Sequence, residues 1–290
     1  MPRNAPAQTA FGPMALAAVE HHEPVDRRLL DDDLAASFLP AHLRAIVAAT
    51  RATPLRNALI RSSERKAPGM WASMMCRKRF IDDRLSDPLN EFDAAVILGA
   101  GLDTRAYRIA RHSNLPVFEV DQQVNIDRKR VAVNRTLGAM PPSVRLVAAD
   151  FEHDDVMGAL SAHGYNAAQR TFFVCEGVTQ YLHPHTVTAL FEQLRAAATG
   201  SRLIFSYVRQ DFIDGTNYYG AQALHKKFLG SQPLWHTGFK PELLHEYLGE
   251  HGWRLIEQAG PSYYRDIYIR PAGRDQVAST IEWTAHAELP

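Results

Sequence analysis

The chain has 290 residues, enough for one large domain or two modest ones whose hydrophobic core is stable without disulfide bonds or metal ions. Its 32 Lys and Arg residues equal its 32 Asp and Glu residues, which disfavours attraction to nucleic acid or to an acidic membrane. The two cysteines, Cys76 and Cys175, form no framework spacing, and no apolar run approaches the length of a membrane span. We therefore expect a cytoplasmic protein with small molecules or proteins as partners.

The first 90 residues have a helical pattern after a loose start. Residues 1–25 are rich in Ala and Pro, and their apolar run FGPMALAAV is a poor signal peptide because Pro13 interrupts it and acids follow it. The stretches with helical periodicity are LAASFLPAHLRAIV, TPLRNALIRSSERK and GMWASMMCRKRFIDDRL. Their arginines are most simply the solvated faces of surface helices. We predict a helical N-terminal extension or lid over residues 1–90.

From residue 93 onward, short apolar strands alternate with helix-length segments. The predicted strands are DAAVIL (93–98), LPVFEV (115–120), VRLVAA (144–149), TFFVC (171–175) and RLIFSYV (202–208). A helix is predicted to start behind Asp121 and to stop at Gly138, since these are N-cap and C-cap residue types. Such repeated units imply a parallel sheet with helices on both faces. Ligands bind these sheets at the carboxyl ends of the strands, where the strand order reverses.

The segment from about 209 to 239 is too long for an ordinary connection, and we predict a helix plus a lid or substrate-contacting loop there. The rest of the chain is predicted to contain the helix PELLHEYLGEHG and the strands WRLIEQA and STIEWTAHAEL.

A glycine turn after the first strand carries the main functional signal. Gly99 and Gly101 follow a strand and open a helix, where backbone bends tightly and approaches a ligand closely. Asp121 ends the next strand, where an acid can accept hydrogen bonds from the ribose of an adenosine-type cofactor. Nicotinamide dinucleotides, S-adenosylmethionine and a plain strand-to-helix turn all satisfy this pattern. A dinucleotide fingerprint requires Gly or Ala where Thr104 stands, so S-adenosylmethionine is favoured.

Several motifs resemble one family. VILGAGLDTRAYRI followed by VFEVD is similar to the leucine carboxyl methyltransferase family, in particular its bacterial branch of S-adenosylmethionine-dependent O-methyltransferases, which includes polyketide-acid methylating enzymes. CRKRFIDDRL, AADFEHDD, CEGVTQYL and PLWHTGF resemble further parts of it, from residue 76 to the C terminus. The first 70 residues match poorly, which leaves the substrate open. The resemblance implies a class I methyltransferase Rossmann-like fold over residues 91–290, α/β with a mostly parallel seven-stranded sheet.

The resemblance also implies a cofactor pocket. Gly99 and Gly101 would line its floor under the methionine portion, and Asp121 would hold the ribose. Asp150 would accept the amino group of the adenine, and Phe151 would cover one face of that ring. A different reading of Asp150, as the N-cap of a helix, stays open.

Three further residues follow from the resemblance. Glu176 would lie near the methionine amino group, and a surface loop acid is the alternative. Arg77 would pair with the methionine carboxylate, which suits its guanidinium fork. Tyr181 would face the acceptor as an orienting hydroxyl. No metal is expected, because His183 and His185 lack a third ligand at recognisable spacing.

These observations favour an S-adenosylmethionine-dependent O-methyltransferase acting on a small-molecule carboxylate or hydroxyl. A carboxylate, with a pKa near about 4, is an anion at neutral pH and needs no base, whereas an alcohol or phenol needs one. The alternatives are an NAD-dependent oxidoreductase and a non-catalytic S-adenosylmethionine-binding protein. Neither nucleic acid nor a membrane is an expected partner, and a homodimer stays open.

Overall fold

The computed structural model describes residues 11–86 and 91–290. Its helices are α1 (Phe11–Glu20), α2 (Ala35–Phe38), α3 (Ala41–Ala49), α4 (Thr53–Lys66), α5 (Met70–Ser86), α6 (Arg105–Ile109), α7 (Gln123–Leu137), α8 (Val156–Ala162), α9 (Pro184–Leu194), α10 (Gln210–Ile213), α11 (Gln222–Leu229), α12 (Leu244–Glu250) and α13 (Pro261–Tyr264). Its strands are β1 (Ala94–Leu98), β2 (Val117–Asp121), β3 (Val144–Ala148), β4 (Thr171–Cys175), β5 (Arg202–Val208), β6 (Arg254–Ala259) and β7 (Glu282–Glu288). None of these helices combines the length and apolarity needed to cross a bilayer.

The seven strands form one sheet in the order β3-β2-β1-β4-β5-β7-β6. The strands from β3 to β5 run parallel, and β7 is antiparallel to both of its neighbours. The predicted seven-stranded, mostly parallel sheet is therefore confirmed. The strand order reverses between β1 and β4, where Leu98 lies beside Val120 on one side and Cys175 on the other. This switch point opens a crevice at the carboxyl ends of the strands.

Both faces of the sheet are buried. Ala95 and Ile97 of β1 pack into one core together with side chains of α1, α5, α6 and α7. Val96 and Leu98 face the opposite way and join a second core with α8, α9 and α12. Because neither face of the central strands β1 and β4 meets water, they have no polar alternation and appear in the sequence as continuous apolar runs.

The expectation that residues 1–25 are loose is wrong for residues 11–20, which form α1, while residues 1–10 lie outside the described part. Pro13 lies in the first turn of α1, where the missing N–H costs no intrahelical bond. Ala17 and Ala18 are buried against the body of the protein. The small side chains of α1 resemble the composition of a loop, but here they allow the helix to pack closely against the rest of the protein.

A buried carboxylate anchors the end of α1. Glu20 accepts hydrogen bonds from the Leu29 N–H at 2.9 Å and the Trp71 indole N–H at 2.9 Å. It also pairs with Arg274, far along the chain. Three partners from three segments thus fix α1 against the sheet domain.

The helix after β2 begins one residue later than its predicted cap. Gln122, and not Asp121, occupies the N-cap position of α7, while Asp121 is the last residue of β2. At the other end Gly138 has a φ of 81° and terminates the helix, as predicted.

An ion pair inside the protein connects β2 to the loop after β1. The Lys129 Nζ lies 2.6 Å from the Glu119 carboxylate, and both side chains are almost fully buried. The same ammonium donates to the carbonyl oxygens of Asp103 at 2.6 Å and Ala100 at 3.3 Å. The second oxygen of Glu119 accepts from the Tyr107 hydroxyl. Lys129 therefore holds the glycine loop in place from below.

We expect Lys129→Met to lower the free energy of unfolding by about 3–5 kcal/mol, because Glu119 would be left as an unpaired buried charge. Urea denaturation at neutral pH measures the change. The double variant Glu119→Gln/Lys129→Met should regain part of the loss, and Lys240→Met, at an exposed position, should change stability by less than about 0.5 kcal/mol. A loss below about 1 kcal/mol in Lys129→Met would contradict the role of the pair.

Candidate active site

A cavity of about 870 Å³ opens at the carboxyl ends of β1, β2 and β4. Its volume is in the range of sites for small molecules and cofactors. All eight residues that the sequence analysis placed in the site line this one cavity. They are Arg77, Gly99, Gly101, Asp121, Asp150, Phe151, Glu176 and Tyr181.

The glycine turn forms the floor of the cavity. Gly99 and Gly101 have φ angles of 67° and 43°, in the left-handed region that favours glycine. A Cβ atom on Gly99 would lie 2.2 Å from Cγ2 of Val178, which follows β4. The turn therefore has no room for a side chain, and a ligand above it would meet bare backbone.

Asp121 is held in one orientation beside this turn. Its Oδ2 accepts the Gly101 N–H at 2.6 Å, and its Oδ1 accepts the Gln122 N–H at 2.7 Å and the Asn125 amide at 2.8 Å. Burial raises the pKa of the carboxyl group, and these hydrogen bonds oppose the shift. Each carboxylate oxygen has two lone-pair sites, so Oδ2 can accept one further hydrogen bond.

Asp150 and Phe151 follow β3 and line the cavity beyond Asp121. The reading of Asp150 as a helix N-cap is wrong: α8 is capped by Asp155, which accepts the Gly158 N–H at 3.0 Å. Asp150 lies within 3.4 Å of the side-chain amide of Gln122. The acids after β2 and β3 therefore border the same side of the cavity.

Glu176 carries the densest charge contacts of the site. Its carboxylate lies 2.7 Å from Arg77, 3.1 Å from Lys78 and 2.6 Å from Arg105. Burial by itself would raise the pKa of Glu176, but the three cations lower it well below its usual range. Its side chain is only 7% exposed, so the alternative of a surface loop acid is wrong.

Arg77 lies between two acids. Besides Glu176 it pairs with Glu282, the first residue of β7. Its guanidinium thus has two partners within the protein itself, which the resemblance alone did not reveal. Sequence reasoning missed both Lys78 and Glu282: Lys78 was visible in the CRKRF motif, whereas nothing local marks Glu282 as a neighbour of Arg77.

Tyr181 lies in a short 3-10 turn, Thr179–Tyr181, that follows β4. Its ring packs edge-on against Trp235, with the ring centroids 6.2 Å apart. The nearby His183 ring stacks on His236 at 4.2 Å. Burial lowers the pKa of His236, and the neighbouring His183 lowers it further by a smaller amount. No group of three or more side chains suited to a metal occurs in residues 11–86 and 91–290.

The remaining wall of the cavity is largely apolar. Its apolar side chains come from α1, α5, the end of β5, the segment between β5 and α12, and the residue before β7. They include Met14, Leu16, Met70, Met74, Val208, Leu224, Phe228, Leu234, Trp235 and Ile281. The cavity thus has a polar end at the glycine turn and an apolar end beyond Tyr181.

The strand order, the glycine turn after β1 and the acids that follow β2, β3 and β4 define a class I methyltransferase fold. The chain belongs to the leucine carboxyl methyltransferase family, whose model matches residues 10–195. The match begins far before residue 76, so the expectation that the first 70 residues match poorly is wrong from residue 10 onward.

Two relatives agree with this assignment, and a solved structure shares the fold. A protein of Mycolicibacterium smegmatis is 34% identical over 207 residues, covering 68% of this chain and 67% of the relative. One of Mycobacterium marinum is 32% identical over 223 residues, covering 73% and 72%. Both are named for S-adenosyl-L-methionine-dependent methyl transfer. A structure from Thermobifida fusca, titled for a methyltransferase, shares the fold with a TM-score of 0.55 at 16% identity, covering 93% of this chain and 97% of that one.

We expect Gly99→Ala to destabilise the protein more than Gly138→Ala does. Both positions have a positive φ, which costs an alanine about 1–2 kcal/mol, but only Gly99 has a neighbour that the new methyl group would strike. Overpacking should add about 1–3 kcal/mol at Gly99. Urea denaturation of the two variants measures the difference.

The double variant Gly99→Ala/Val178→Ala is the matched test of the clash. Removing the Val178 methyl groups should reduce the excess cost of Gly99→Ala relative to Val178→Ala alone. Equal losses for Gly99→Ala and Gly138→Ala would show that the contact with Val178 does not constrain the turn.

Proposed function

We propose that the protein is an S-adenosylmethionine-dependent O-methyltransferase that methylates a carboxylate of a small-molecule acceptor. The observation that carries the proposal is a cavity lined by a glycine turn, by acids and by a set of apolar side chains. Membership of a methyltransferase family and the names of the relatives support the methyl donor. The bound cofactor supplies an electrophilic methyl group on a sulfonium.

The polar end fits the cofactor on its own geometry. Gly99 and Gly101 line the cavity with backbone alone, and Asp121 keeps one lone-pair site for a ribose hydroxyl. Asp150 and Phe151 border the same side and suit the amino group and the face of an adenine ring.

The methionine end of the cofactor matches the charges around Glu176. That carboxylate suits an ammonium, and the adjacent Arg77 and Lys78 suit a carboxylate. Because Arg77 is already bound by Glu176 and Glu282, it would approach the cofactor as a fixed group that needs little reordering.

At the other end, the chain's task is to orient the acceptor. Holding two reacting groups in line can contribute on the order of 7–11 kcal/mol. Tyr181 lines the cavity and packs against Trp235 of its apolar wall, and we assign its hydroxyl the role of orienting the acceptor. The surrounding apolar side chains would exclude water from the reacting groups.

The cavity wall, over the part of the chain that the structure describes, lacks histidine, the most frequent general base, and this favours a carboxylate over a hydroxyl. Within the described residues, no histidine lines the cavity, and His183 and His236 stack on each other outside it. A carboxylate is ionised without help at neutral pH, whereas a phenol is not.

We expect Asp121→Ala to weaken S-adenosylmethionine binding by about 1.5–3 kcal/mol, since it removes a charged acceptor for the ribose and frees the Gly101 N–H. Isothermal titration calorimetry measures the affinity. Asp127→Ala, an exposed acid on α7, is the matched control and should bind as the wild type does.

NAD and S-adenosylhomocysteine are titrated in parallel with these variants. Tight binding of NAD without a response to the two methionine-derived ligands would establish an oxidoreductase instead. Unchanged affinity in a folded Asp121→Ala would remove Asp121 from the site.

We expect the labelled product formed from S-[methyl-³H]adenosylmethionine and a panel of organic acids to release volatile methanol in mild base. A methyl ester is cleaved under these conditions and a methyl ether is not. Label that stays non-volatile would reject the carboxylate, and cofactor binding without transfer to any acid or phenol would favour a non-catalytic binding protein.

The pH dependence gives an independent check. Between pH 7 and 9, kcat/KM should be level, because a carboxylate acceptor ionises at about pH 4 and His236, with its lowered pKa, stays neutral. A hydroxyl acceptor with a pKa near about 10 would instead give a rate that rises about tenfold per pH unit.

A further inference from the structure

The positive charge of the chain is concentrated on one exposed region although the total is balanced. Residues 41–66 contain six Arg and Lys residues and a single acid, Glu64. Glu64 accepts the Gly69 N–H at 2.7 Å, and Arg56 is buried in an ion pair with Glu23. The cations that matter here are the exposed ones without an ion pair anywhere in the described part of the chain. They are Arg51, Arg61, Arg65 and Lys66.

Exposed aliphatic side chains accompany these cations. Leu55 is 54% exposed and Leu59 is 36% exposed on α4, and Ile46 on α3 is 56% exposed. On α4, Leu55, Leu59 and Lys66 share one side of the helix, and Arg61 and Arg65, four residues apart, form a second stripe about 120° further round the helix. We call this set, with Arg51 and Ile46, the basic face.

We propose that the basic face docks the protein onto an anionic lipid surface. Helices that lie in a membrane interface combine Lys and Arg with aliphatic side chains that enter the headgroup boundary, and the basic face has both. Attraction of this kind acts within about 8–10 Å, so the local charge decides it and the neutral total does not.

A second copy of the chain fits the basic face less well than an anionic lipid surface does. A two-fold interface would bring the same surface of both subunits together, and the unpaired cations of one copy would face those of the other. Their repulsion would oppose burial of the leucines. An acidic protein would satisfy the charge, but it would leave unexplained why aliphatic side chains stand exposed between the cations.

The position of α4 connects the basic face to the cavity. Ser63 near the end of α4 and Ala67 just after it line the cavity, and the exposed Leu55 and Leu59 lie on the same i, i+4 row of the helix as Ser63. The cavity wall at that end is apolar, with Met70 and Met74 following along α5. Docking through α4 would therefore place the apolar end of the cavity next to the lipid, where an apolar acceptor accumulates.

The test is sedimentation of the full chain with vesicles of phosphatidylcholine, alone or with about one third phosphatidylglycerol. We expect at least tenfold stronger binding to the anionic vesicles and a loss of binding when NaCl is raised from about 0.05 to 0.5 M. Arg61→Gln/Arg65→Gln should bind about 30-fold more weakly, at about fivefold per cation. Leu55→Gln/Leu59→Gln should bind at least fivefold more weakly.

The matched control is Val131→Gln/Arg145→Gln, which removes a 64% exposed valine and an exposed arginine from another part of the surface. It should bind vesicles as the wild type does. Thermal unfolding and S-adenosylmethionine affinity, measured for every variant, report separately on folding and on the proposed function.

Several outcomes would overturn the proposal. Equal binding to neutral and anionic vesicles, no binding to either, or unchanged binding of the basic-face variants would each do so. A dimer in light scattering that Leu55→Gln/Leu59→Gln dissociates would assign the face to a second copy. Binding to polyglutamate without binding to vesicles would assign it to an acidic protein.

Discussion

The convergence of three cations on the Glu176 carboxylate is the constraint on which the cavity depends. Arg77 and Lys78 come from α5 and Arg105 from α6, so one anion at the end of β4 fixes two helices against the sheet. Such a cluster is stable only when every charge is paired, because a single unpaired buried charge costs several kcal/mol. The cluster therefore gives the cavity one well-defined wall rather than a set of alternatives.

Lys129 stabilises the floor of the cavity in a comparable way. By binding Glu119 and two carbonyl oxygens of the loop after β1, it holds the glycine turn in the conformation that presents bare backbone. The Asp121 carboxylate binds the same turn by accepting a hydrogen bond from the Gly101 N–H. The polar end of the site is thus ordered by the protein's own hydrogen bonds, which lowers the entropy that ligand binding must overcome.

The elements that the sequence predicted correctly are those whose own residues show a clear apolar pattern. The five strands from β1 to β5 lie within two residues of the predicted ones, because each is a short, predominantly apolar run, fully buried in β1, β2 and β4. Helix α1 was not predicted, since small residues and a proline near its start resemble loop composition, and its stability comes from Glu20 contacts with Leu29, Trp71 and Arg274. Those contacts join positions too distant for any periodicity to show.

By itself, the sequence determined the sheet, the glycine turn and the acids after β2, β3 and β4, because each is a property of a short segment and of the strand that precedes it. Only the tertiary structure decided that Arg77 lies between Glu176 and Glu282, and that Lys129 supports the turn. It also decided which arginines are paired and which stand exposed on α4 beside Leu55 and Leu59. The physical reason is that a charge finds its partner through space, and neither composition nor spacing along the chain records where the fold places that partner.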